Sequence, residues 1–132
     1  MCIMPPITLS ATINAPIEQV FEIFVSAALH AKVTGASATI DAQVGGAFSV
    51  WDGYATGVFE QIEAPTKLRC SWRASDWPTE ATSTLTLTFT KQSPTQTMLH
   101  LLHTGVPDAF VSDIRDGWQS YYVQPMLEHF HS

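Results

Sequence analysis

The chain changes its hydrophobic period once, and that change limits the folds open to it. From residue 38 to 104 the signals are all those of strands, and from about 110 to 130 the apolar residues return to a period of 3.6. The clearest strand is "TSTLTLTFT", with Leu85, Leu87 and Phe89 on one face and threonines on the other. Such a strand has one wet face and one face to bury. The clearest helix is "FVSDIRDGWQSYYVQPMLEHF", in which Ile114, Trp118, Tyr122 and Met126 recur at every fourth position. That stripe is the only long apolar helical face in the sequence, so it is the element free to cover the sheet.

The remaining segments fill in the order. "ITLSATINAP" sets Ile7, Leu9, Ala11 and Ile13 against polar neighbours, as a half-buried strand does. Pro16 suits a first helical turn, and Ile17, Val20, Phe21 and Phe24 follow at helical spacing. "ALHAK" continues as a short helical turn before Gly35. Gly45-Gly46 marks a bulge or sharp bend after "ATIDAQV". Asp52-Gly53, between "AFSVW" and "YATGVFEQI", is a strong hairpin signal. "TKLRCSWR" and "TMLHLLHT" are further strands. Ser112 is the expected N-cap of the last helix, and Pro125 is expected to kink it. The fold class is therefore α+β: a curved antiparallel sheet of about six strands, a short helical segment after strand 1, and a long C-terminal helix. The chain reads as one domain over residues 1–132, with 1–6 as a loose tail.

Charge excludes several functions. The net charge is −6 with only six Lys and Arg, so no basic patch exists to neutralise nucleic-acid phosphates or anionic lipid. Charged residues are only 14% of the chain, so some apolar surface is expected to face a cavity or a partner. Cys2 and Cys70 read as free thiols, and "MCIMPPITLS" has neither the basic start nor the apolar run of a signal peptide. A cytoplasmic location is the expectation.

Catalytic and metal motifs are weak. His100 and His103 lie three apart on a predicted strand and so point to opposite faces, and His30 stands isolated. No Gly-x-Ser-x-Gly elbow or acid–base pair emerges, and no metal or cofactor is expected. A cyclase or hydrolase would need an acid–base pair beyond His103. His103 shares a strand face with Leu99 and Leu101, where it is either satisfied by a backbone carbonyl or in contact with a ligand. Core packing accounts for most of the aromatic residues. Trp72, Leu87, Leu101, His103, Trp118 and Tyr122 are the candidates to wall a ligand cavity between sheet and helix. In "GWQSYY", Trp118 is expected to anchor the helix to the sheet, Tyr122 to line the cavity and Tyr121 to sit at its rim.

With "GGAF" at 45–48, "WR" and "WP" at 72–78, "HTGVP" at 103–107 and "GW" at 117–118, the chain resembles the homologues of the activator of the 90-kDa heat-shock protein ATPase. That family belongs to the START-like, or helix-grip, superfamily. The likeness runs from about residue 7 to 130 and is strongest to the C-terminal domain of the eukaryotic activators, where "TLTLTF" and "GWQ.YY" patterns also occur. The resemblance implies a helix-grip fold with a cavity under the C-terminal helix. It further implies a non-enzymatic co-chaperone or stress-response role with the 90-kDa heat-shock chaperone as partner. The superfamily's common theme, binding of a small apolar or aromatic ligand, is the alternative. The activators' N-terminal domain, their main grip on the chaperone, has no counterpart in these 132 residues.

Overall fold

The computed structural model describes residues 6–78 and 81–130; Cys2, His131 and most of the expected N-terminal tail lie outside them. Strand β1 (Ile7–Ile13) is followed by helices α1 (Ile17–Ile23) and α2 (Ala27–Thr34). Strands β2 (Thr39–Ile40), β3 (Ala47–Val50), β4 (Ala55–Glu63), β5 (Lys67–Ala74), β6 (Ser83–Ser93) and β7 (Gln96–Thr104) come next. A 3-10 turn (Asp108–Phe110) leads into α3 (Val111–Trp118), a π-helical turn (Gln119–Val123) and α4 (Gln124–His129).

The strands form one open antiparallel sheet in the order β1-β7-β6-β5-β4-β3-β2. There are seven rather than about six, because the two residues of β2 still pair with β3, Thr39 with Ser49 and Ile40 with Phe48. The rest of "ATIDAQV" is a bend. Gly45 takes a φ of 85°, and a Cβ on Gly46 would lie 2.1 Å from the Asp41 carbonyl oxygen. Neither position accommodates a side chain without strain. The first strand reaches across the sequence to pair with the last, from Ile7 opposite His103 to Ile13 opposite Thr97.

The alternation in β6 is realised as expected: Leu85, Leu87 and Phe89 are buried and Thr84, Thr86 and Thr88 half-buried on the other face. The same inward face carries Leu68, Cys70 and Trp72 from β5 and Leu99, Leu101 and His103 from β7. Ile114, Trp118, Tyr122 and Met126 are buried from the helical side. Helix α1 closes the other end of this core, where Phe21 meets Phe89 edge-on at 5.4 Å.

One expectation for the C-terminal helix changes. Ser112 is not its N-cap: the cap position falls two residues earlier, at Phe110, with no side-chain cap bond. The preceding 3-10 turn supplies the acceptors instead, since the Val111 N–H bonds the Asp108 carbonyl. At Pro125, expected to kink the helix, the structure has a widened turn just before it, in which the Gln124 N–H bonds back to the Gln119 carbonyl, five residues away. Proline has no N–H to give to the carbonyl four residues before it and its ring crowds that group. The π turn accommodates both.

One close approach is specific to glycine. A Cβ on Gly57 in β4 would sit 1.9 Å from the Ser71 carbonyl oxygen and 2.6 Å from Phe48 Cζ. We expect Gly57→Ala to cost about 2–4 kcal/mol in denaturant unfolding. A change below about 0.5 kcal/mol would contradict the close packing at this crossing.

Candidate functional site

Under the C-terminal helix, buried polar groups are linked in two chains. The first runs from helix to sheet. The Trp118 indole N–H donates to Nδ1 of His103 at 3.0 Å. An indole nitrogen only donates, so Nδ1 is the accepting nitrogen and the neutral ring carries its proton on Nε2. That Nε2 lies 2.6 Å from Ser83 Oγ, and the Ser83 hydroxyl in turn donates to the Trp72 carbonyl at 2.8 Å. Burial lowers the His103 pKa from 6.5 to about 3, so the ring is neutral.

The second chain ties the hairpin to α2 through the helix. The Trp51 indole N–H donates to the Tyr122 hydroxyl at 2.8 Å, and that hydroxyl lies 3.0 Å from His30 Nε2. The Tyr122 hydroxyl thus meets two partners, Trp51 as donor and His30 Nε2. His30 is buried and its pKa falls to about 4. Its Nδ1 is buried and has no partner among the described residues. Trp118 and Tyr122 are in ring contact, centroids 4.5 Å apart and planes tilted by 34°, joining the two chains. Trp51 reaches this position from the hairpin turn, where Trp51, Asp52 and Gly53 take successive positive φ angles of 57°, 57° and 92°. Ser37 holds that turn, its backbone N–H bonding Asp52 Oδ1 at 3.0 Å.

Trp72, Leu87, Trp118 and Tyr122 line a cavity between sheet and helix, and its volume is only about 40 Å³. Leu101 faces a separate void of about 10 Å³ on the β1 side. His103 lines neither, because both its ring nitrogens are bonded within the protein, and its partners are Ser83 and Trp118 rather than a backbone carbonyl. His30, which stands alone in the sequence, lines the cavity and touches Tyr122. Its partner is 92 residues away, and Trp51 is 71 residues from the same hydroxyl, so no local pattern identifies either. Tyr121 is at the rim, 61% exposed and edge-on to Trp51 at 5.7 Å.

The buried groups are poorly disposed for nucleophilic chemistry. Burial, with Glu60 adding to it, pushes the Cys70 thiol up to about 12, so it holds its proton. The Ser83 proton is committed to a carbonyl. His100 is on the opposite face of β7, exposed and bonded to Ser10 Oγ at 2.9 Å. Among the described residues no three His, Cys, Asp or Glu side chains gather as a metal site.

The sequence model of the family described as "Activator of Hsp90 ATPase homolog 1-like protein" matches residues 14–130. The chain belongs to this family. It is 32% identical over 124 residues to the mouse (Mus musculus) activator of 90 kDa heat shock protein ATPase homolog 1. That match covers 94% of this chain and 36% of the mouse protein, so the chain spans about a third of that relative's length. Among solved structures, an HSP90 activator from Plasmodium falciparum superposes with a TM-score of 0.86 at 26% identity, covering 90% of this chain and 91% of that one. A protein from Chromobacterium violaceum gives a TM-score of 0.78 at 23% identity, covering 96% and 97% of the two chains, which shows the shared START-like fold.

The two neutral histidines make stability depend on pH. Below pH 6.5 the unfolded chain takes up two protons that the folded chain refuses. Stability therefore falls as pH drops, by about 1.4 kcal/mol per pH unit for each histidine. The fall ends near pH 4 for His30 and near pH 3 for His103. Urea unfolding of the protein and of His103→Asn between pH 8 and 4 measures this, and the variant should lose about one histidine's share of the slope. Equal slopes would mean that His103 titrates normally in the fold.

Proposed function

We propose that this chain is a non-enzymatic domain that acts on a 90-kDa heat-shock chaperone and raises its ATPase rate. The supporting observation is the match to the activator homologue, 32% identical across 94% of this chain. It is reinforced by the likeness to the solved chain of a Plasmodium falciparum HSP90 activator, 91% of which this chain covers. The interior favours a protein that works through its surface. Its hydroxyl and thiol protons are held and its histidines are neutral, so the buried polar groups serve to fasten the helix to the sheet. A cytoplasmic setting and the absence of nucleic-acid binding go with this reading, the latter from the net charge of −6.

A second reading, binding of a small apolar ligand between sheet and helix, is favoured by one observation: the unpaired Nδ1 of His30 in the cavity wall. At about 40 Å³ the cavity admits a few waters at most. A larger ligand would have to displace Tyr122 from His30 and Trp51.

The chaperone reading is tested by the ATPase rate of a purified 90-kDa heat-shock chaperone with and without saturating amounts of this protein. We expect a higher rate and a complex detectable by sedimentation. An unchanged rate with no complex would overturn the proposal.

A further inference from the structure

Beside the small cavity is a larger groove of about 540 Å³, open to solvent, between the β3–β4 hairpin and α3. This volume is in the usual range of small-molecule sites. Its rim is aromatic: Trp51 and Tyr54 come from the hairpin and Tyr121 from the π turn. Tyr54 and Tyr121 are 38% and 61% exposed, two of the few large apolar side chains left in water. Trp72, Trp118 and Tyr122 make the floor, which the groove shares with the inner cavity.

The charge in the groove has one sign. Asp113 and Asp116, three apart and so on one side of α3, both line it, and no Lys, Arg or His does. Asp76 adds a third carboxylate beside Tyr54, whose phenol is pushed up by burial first and by Asp76 and Asp113 after it. The nearest cation in sequence, Arg115, lies between the two aspartates on α3 but is not among the lining residues. Among the described residues no third ligand joins the aspartates to make a metal site.

Gly117, also in the lining, is the independent clue. It is in a regular helix at an ordinary φ, and a Cβ there would meet nothing nearer than Tyr121 Cδ2 at 3.7 Å. Glycine inside a helix is less stable than alanine, and neither backbone conformation nor packing demands it here. What its missing side chain does is keep the groove open between the two aspartates and the aromatic rim.

We propose that this groove binds an organic cation, an amine or quaternary ammonium carried on a small apolar body. Aromatic rings attract such cations through their electron-rich faces, and carboxylates alongside add direct attraction. The net charge of −6 draws cations toward the surface as a whole. A neutral apolar ligand would gain nothing from the aspartates, and an anion would be repelled. The proposal does not depend on a chaperone partner, and the chaperone assay leaves it untouched.

The test uses three probes built on one ring: benzyltrimethylammonium, benzyl alcohol and phenylmethanesulfonate. Each is titrated into nitrogen-15-labelled protein while the four tryptophan indole resonances are followed by NMR. The cation should shift the Trp51 indole and bind at least about tenfold more tightly than the alcohol, with no binding of the sulfonate. The double variant D113N/D116N should lose that tenfold preference and keep its affinity for the alcohol, with the remaining spectrum intact. Gly117→Leu should weaken the cation and the alcohol alike. Equal affinity for cation and alcohol, no Trp51 shift with any probe, or no effect of either variant would overturn the proposal. So would binding of a lysine-rich peptide without binding of the small cation, which would assign the groove to a basic protein segment.

Discussion

The bond from the Trp118 indole N–H to His103 Nδ1 joins the last helix to the last strand, and much of the interior is arranged around it. Because the indole can only donate, it selects the histidine tautomer, and the tautomer directs the other ring proton toward Ser83. Ser83 then donates its own O–H to the Trp72 carbonyl on the neighbouring strand β5. One helix residue thus fixes the polar groups of three adjacent strands under an apolar lid. Within such a lid, an unpaired member would cost about 1–3 kcal/mol, so the set is kept or lost together.

Tyr122, one helical turn on, does the corresponding work on the other side. It packs against the Trp118 ring and receives the hairpin through Trp51, while its hydroxyl meets His30 of α2. The π turn over Gln119–Val123 is part of this arrangement: it adapts the helix to Pro125 while both rings remain buried. The result is a helix fastened at two points, with little space beneath it and a larger groove beside it. A surface role on a chaperone and a groove for a small cation both fit a domain whose interior is closed by its own side chains.

The fold was largely legible from patterns. The leucines of β6 alternate with threonines because a strand turns successive side chains to opposite faces, and Asp52-Gly53 does sit in the hairpin turn between β3 and β4. The fourfold spacing of Ile114, Trp118, Tyr122 and Met126 likewise marked the buried side of the last helix. Of the proposed cavity wall, Trp72, Leu87, Trp118 and Tyr122 are where the pattern put them, while Leu101 and His103 are buried elsewhere on the same sheet face. Alternation gives the face of a strand but not the position along it relative to the helix above. The start of α3 was misplaced for a different reason: Ser112 has the chemistry of a cap, but a 3-10 turn upstream leads directly into the helix and accepts the Val111 N–H.

By itself the sequence determined the α+β class, the order of elements, the faces to be buried and the family, since each is carried by local periodicity or by motifs read along the chain. Only the tertiary structure decided that β1 pairs with β7, that His30 and Trp51 converge on Tyr122, and that the space under the helix is nearly filled while the one beside it is open. These depend on contacts between residues 71 and more apart, and no local spacing encodes which distant donor will meet which acceptor.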